Sequence, residues 1–213
     1  MANFDVLRSA IIGPMAYICR PKPPLLGCWP LTSTTDKADV STYGHNFTGT
    51  LSAATQTNSL GKVIPASNST FPCTLDLGKP WSFDFMVGIN HAAGQSHPIL
   101  ATLGNFMSYL DNEYGPACAM SFVGTDLGSA KTSIVYGGVH VGFSYDGSTV
   151  RRFVNGILNV SASVSMSGTS SGLSMAFSSG DLQCFGNLRI VQKCLGTDSY
   201  PVPSTFYTGY ETL

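Results

Sequence analysis

At 213 residues the chain suits one domain of the size that all-β sandwiches reach undivided, and it is ample to bury a sizeable core. Only 11% of the residues are charged, against roughly 25% in average soluble domains, and the net charge is −1. That balance excludes the basic footprint that nucleic acid or an anionic membrane surface requires.

The surface is therefore built from Ser, Thr, Gly, Asn and exposed apolar atoms, a composition that favours association. No stretch approaches the length that spans a bilayer. Residues 1–18 lack a basic n-region, and Asp5 and Arg8 interrupt the apolar run before AIIGPMAYI, so no secretory signal is expected. Cys19, Cys28, Cys73, Cys118, Cys184 and Cys194 form no CxxC pair and no zinc spacing. They are candidates for disulfides, within or between subunits, or for buried thiols packed as small apolar residues.

In chain order, residues 1–24 read as an N-terminal arm or strap, stopped at Gly13-Pro14 and stiffened by RPKPP (20–24). If the arm is an assembly anchor, Phe4, Val6, Leu7, Ile11 and Ile12 carry the contact. Leu26, Cys28 and Trp29 open the domain proper, over 25–200, with Trp29 in the core. Residues 32–70 read as short strands and loops, including HNFTGTLSA (45–53), and Phe71 to Leu77 as a strand. In WSFDFMVGIN (81–90), Trp81, Phe83, Phe85 and Val87 share one face and Ser82, Asp84 and Met86 the other, which predicts a central strand. HAAGQSHP (91–98) is read as a loop, ILATLGN (99–105) as a strand, and FMSYLDNEY (106–114) as a hairpin around Asp111-Asn112. Cys118 to Val123 reads as a strand, GTDLGSAK (124–131) as a loop, and Ser133–Tyr136 as a further extended piece.

The densest signal is VHVGFSYDGSTVRRFVNGILNV (139–160). Val139, Val141, Phe143 and Tyr145 alternate with His140, Gly142 and Ser144, the period of a strand with one buried face. Asp146-Gly147 and Asn155-Gly156 are hairpin dipeptides of the type I′ kind, so the stretch predicts a three-stranded meander. Of the adjacent Arg151 and Arg152, alternation sends one to each face, at least one of them toward a carboxylate. Ser161–Gly180 is Ser/Gly-rich and carries one or two short strands. Leu182 to Val191 closes the sheet, and 201–213 forms a tail without regular structure.

The aromatic strand, YDGST and VNG together resemble the central meander of concanavalin A-like, laminin-G-like jelly rolls. GCWPL (27–31), with Asp36, Asp39 and GHNFT (44–48), resembles their opening strand. FGNLRIVQKCLGTDSYPVPSTF (185–206) resembles their closing strand and tail, close to the endings of such domains in tailed-phage virion proteins. The resemblance spans about residues 25–206. It implies an all-β, two-sheet antiparallel jelly-roll sandwich and a structural role for Arg189.

Chemistry is sparse. Glycosidases need two carboxylates facing across a cleft, yet Glu113 and Glu211 are the only glutamates and Asp84 stands alone on its strand. His45, His91, His97 and His140 pair with no diagnostic nucleophile, and serine is too abundant for a Ser/His pairing to mean anything. Calcium would fall to Asp111-Asn112-Glu113 or Asp36/Asp39, which turn chemistry explains equally well. Candidate glycan-binding residues are Tyr109, Asn112 and Tyr114, or the tail tyrosines Tyr200, Tyr207 and Tyr210.

The expectation is a non-enzymatic protein without cofactor or catalytic residues. The resemblance implies a structural virion component of a tailed bacteriophage, a capsid decoration or other exterior protein. Its partners would be other virion proteins and further copies of itself. The alternative is a glycan-binding module of a tail fibre or adhesin that recognises host polysaccharide.

Overall fold

The computed structural model describes residues 25–41, 43–55, 60–66, 68–89, 99–110, 119–129, 138–176 and 182–207. The expected arm, the loop 91–98 with its two histidines, and residues 111–118 lie outside them, as do the piece 133–136 and the last six residues. Among the described residues there is no helix. Two antiparallel sheets form a sandwich, as the sequence predicts.

The strands are β1 Leu25–Trp29, β2 Leu51–Ala53, β3 Val63–Pro65, β4 Ser69–Asp76, β5 Trp81–Ile89, β6 Ile99–Leu103 and β7 Phe106–Leu110. They continue as β8 Ala119–Phe122, β9 Thr125–Ser129, β10 Val139–Tyr145, β11 Thr149–Val154, β12 Ile157–Ser163, β13 Thr169–Ala176 and β14 Leu182–Val191. One sheet runs β12-β11-β10-β5-β14-β3-β2, with β1 also pairing β14; the other runs β4-β13-β6-β7-β8-β9.

The inner faces make one aromatic core. Phe83 stacks on Phe143 with centroids 4.5 Å apart, and Trp81, Phe85 and Phe106 surround them. Trp29 is fully buried there, its Nε1 donating to the His45 carbonyl at 2.9 Å. Cross-strand aromatic pairs of this kind add to simple area burial.

The meander forms as expected. Val154 pairs Ile157 across Asn155 and Gly156, both at positive φ, which is the type I′ turn. The Asp146-Gly147 turn differs: only Gly147 has positive φ, and Asp146 instead accepts from the Ser148 and Thr149 amides. A carboxylate that caps its own turn relieves the demand for the mirror-image geometry.

Other expectations are corrected. Thr125–Ser129 is a strand, not a loop, because Val123 and Gly124 both turn at positive φ and return the chain along β8. β6 and β7 join at a Gly104-Asn105 turn, and the hairpin expected around Asp111-Asn112 lies outside the described residues. The predicted one-sided burial of β5 and β10 also fails: Ser82, Asp84, His140 and Ser144 are as buried as the aromatic face. The reason lies in residues 194–207, which lie over that outer surface.

Removing the central ring tests the core. Phe83→Ala should lower unfolding free energy by about 3–5 kcal/mol, measured by chemical denaturation.

Candidate functional site

Asp84 is the centre of the densest polar cluster. Its position on β5 points away from the aromatic core, so alternation alone would leave it in water. Instead its carboxylate is wholly buried. His140 on β10, diagonal to it and two residues before its register partner Gly142, brings Nε2 to Oδ1 at 3.2 Å. Arg189 on β14 brings Nε and Nη2 to Oδ2, each at 2.9 Å. The Tyr200 hydroxyl donates to Oδ2 at 2.9 Å, and the Tyr207 hydroxyl donates to Oδ1. Burial pushes Asp84 up, but Arg189 and the hydrogen bonds from His140 and Tyr207 outweigh it and hold the carboxyl below its ordinary value. Burial and the Asp84 charge push both tyrosines up, so they remain neutral donors.

The cluster fastens the chain from 194 to 207 as a strap across β5, β10 and β11. The Leu195 amide donates to Ser82 Oγ at 2.9 Å, and Ser144 Oγ donates to the Gly196 carbonyl. The Tyr200 ring lies over Gly142, where an added Cβ would come within 2.9 Å of it. A residue without a side chain is needed there. At the far end the strap reaches the β11–β12 turn, where the Tyr200 amide donates to the Gly156 carbonyl. It then returns to β14: Asn187 bonds the Thr205 carbonyl and the Tyr207 amide, and the Arg189 guanidinium stacks 4.4 Å from the Tyr207 ring centre.

This arrangement corrects two sequence expectations. Asp84 does not stand alone, and Tyr200 and Tyr207, 4% and 5% exposed, face inward and cannot serve as a glycan platform. Tyr210, Asn112 and Tyr114 lie outside the described residues. Tyr109 belongs to β7, opposite Leu100. Arg189 has the expected structural role. Arg151 meets Asp146 at 2.6 Å, while Arg152 turns the other way and bonds Asn159 Oδ1 at 3.0 and 2.6 Å.

No bridge joins any two of the described cysteines Cys28, Cys73, Cys184 and Cys194. Cys73 lies in the core, where burial and the nearby Asp39 push its thiol up to about 12. Cys19 and Cys118 lie outside the described residues. Asp36 and Asp39 do not share a site: Asp36 accepts from Thr32, and Asp39 from the amides of Cys28, Ser41 and His45. Among the described residues no three metal-ligating side chains come together. Ser170, in the GTSSG run 168–172, is buried on β13 and donates to the Gly172 carbonyl, which is not the exposed turn of a nucleophile elbow.

The other sheet presents a different surface. Registers align one residue from each of its strands in a row across the outer face: Thr70, Ser174, Thr102, Met107, Ser121 and Asp126. All six are exposed or half-buried. Thr70 and Ser174 hydroxyls lie 3.1 Å apart. The pocket beside the strap, about 250 Å³ and lined by Arg189, Pro201 and Tyr207, competes poorly as a binding site. Its guanidinium is already committed to Asp84.

No protein-family model and no curated protein sequence matches the chain. Solved structures do. Domain 4 of an extracellular arabinanase from Geobacillus stearothermophilus, solved in complex with arabinotriose, matches at TM-score 0.54 and 15% identity. The match covers 83% of this chain and 96% of that one. The binding domain of botulinum neurotoxin serotype D/C matches at 0.53 and 12%, over 81% of this chain and 50% of the toxin domain. The likeness is one of fold. It agrees with the jelly-roll sandwich.

The Asp84 cluster makes a pH-dependent prediction. Folded Asp84 titrates below its unfolded value, about 3.9, so its stabilisation is complete above that pH and is lost as pH falls through the lower folded value. Unfolding free energy should therefore fall below about pH 4. Asp84→Asn strands the Arg189 charge and should cost about 3–5 kcal/mol at neutral pH. Its acid slope should be shallower than wild type, though not flat, because Asp146 is also held low by Arg151 and nearby amides after burial is overcome. Denaturation curves at several pH values check both.

Proposed function

We propose that this chain is a non-catalytic binding module that takes a neutral polysaccharide on the outer face of the six-stranded sheet. The observation that carries the reading is the open row Thr70–Ser174–Thr102–Met107–Ser121–Asp126. Its hydroxyls offer donors and acceptors to sugar hydroxyls. Met107, at the centre, offers a soft apolar surface to the C–H face of a pyranose or furanose ring. On the eight-stranded sheet the outer polar groups of β5 and β10 are spent on the strap. The low charge of the chain suits an uncharged partner better than an acidic one.

The fold shared with an arabinanase domain solved with arabinotriose supports this reading and makes arabinan the first probe. Tyr109, two residues beyond Met107 on β7, remains part of the proposal as a second contact. A virion location finds no support in the fold or in the compared structures.

The test is a panel of neutral and acidic polysaccharides against the full chain, followed by titration calorimetry. Binding to a neutral polymer is expected, weakened about tenfold, or about 1.4 kcal/mol, by Met107→Ala or Thr102→Val. Absence of binding across the neutral panel would sink the reading. Binding that neither change alters would move it off this face.

A further inference from the structure

Among the described residues β12 is the edge of the eight-stranded sheet. Edge strands of monomers are usually blunted by Lys, Pro or bulges, because their outer amides and carbonyls invite another strand. From Phe153 to Gly180 this chain carries no charge. A bulge at Asn159 and the Ile157–Ser199 bridge with the strap interrupt only the start of β12. From Val160 onward the strand is regular, pairing Arg152, Arg151, Val150 and Thr149 in turn.

Hydrogen-bond parity shows which groups face outward. The Val164 amide donates to the Ser148 carbonyl at 2.8 Å. Antiparallel bonding alternates, so Ala162 and Val160 also point their amides at β11, and Ser161 and Ser163 point theirs away. Val160, Ala162 and Val164 lie against the core yet remain only partly buried, while Ser161 and Ser163 are exposed.

The segment Val160-Ser161-Ala162-Ser163-Val164 reads the same in both directions. We infer that two copies of this chain pair through β12, antiparallel about a two-fold axis at Ala162. That axis sets Ser161 against Ser163 of the second copy, so their outward amides and carbonyls bond reciprocally. It sets valine against valine along the core-facing edge and alanine against alanine at the axis, where bulk would clash. A two-fold contact sets residue i against residue j and j against i, and here every such pair is uncharged, so none repels. The half-buried Val160, Ala162 and Val164 of both copies then form one apolar strip. This association is independent of the binding face on the other sheet.

Light scattering on the full chain should give twice the chain mass. Ser161→Pro removes an outward amide and no ladder bond, so it should halve that mass with an unchanged β spectrum. Ala162→Cys should give a covalent dimer under oxidation that reductant reverses and the wild type lacks. Residues directly opposed at such a non-hydrogen-bonded position sit about 4.5 Å apart, within disulfide reach. A wild-type monomer overturns the inference, as does an oligomer that Ser161→Pro leaves intact. If Ser161→Pro fails to fold, absence of the covalent dimer from Ala162→Cys overturns it instead.

Discussion

A carboxylate held wholly out of water organises this protein's outer surfaces. Asp84 is unfavourable in that place unless its charge is balanced and its lone pairs are filled, since an uncompensated buried ion costs several kcal/mol. Arg189 supplies the charge from the neighbouring strand. His140, Tyr200 and Tyr207 supply further donors. Two of those donors come from a segment with no regular structure, so the carboxylate and the strap require each other. The strap finds a fixed course because the tyrosine hydroxyls have a strong acceptor. Asp84 is tolerable because the strap excludes water from a site where every interaction is strengthened.

From that pairing follows the asymmetry of the sandwich. The aromatic core lies between the sheets and does not itself cover either outer face. Instead the strap covers β5, β10 and β11, and their polar residues bond the protein itself. The six-stranded sheet keeps Thr70, Ser174, Thr102, Met107 and Ser121 on its open face. A ligand needs groups it can reach from solvent, which is why the binding reading belongs to this second sheet. The β12 edge, outermost in its sheet among the described residues, is a separate consequence of the same low charge: without Lys or Pro to block it, an uncharged strand is matched most simply by its own copy.

Much of the framework is legible in the residues. The alternation of Val139 to Tyr145 and the Asn155-Gly156 turn suffice to place β10 to β12, and Trp81 to Val87 suffice for β5. The strap is not legible, for a physical reason. Alternation tells that Ser82, Asp84 and His140 leave the core, but not that a distant segment will cover them. Tyr200 and Tyr207 meet Asp84 across 116 and 123 residues, with no local signal linking them. A buried aspartate beside a histidine and an arginine on adjacent strands was a possible clue, but it becomes one only after the strand order is known. The strand Thr125–Ser129 was missed because TDLGS has neither apolar alternation nor β-branched residues beyond its first position. The row on the open face depends on the registers of six strands and was likewise beyond sequence reading.

Hydrogen exchange by mass spectrometry on the full chain tests the central claim, that the strap is an integral layer fastened at Asp84. The Leu195, Tyr200 and Tyr207 amides each donate to the body of the protein. They should exchange with the protection of β5 and β10, as parts of one cooperative unit. Exchange of 194–207 at the rate of an exposed loop, with β5 and β10 still protected, would contradict the account.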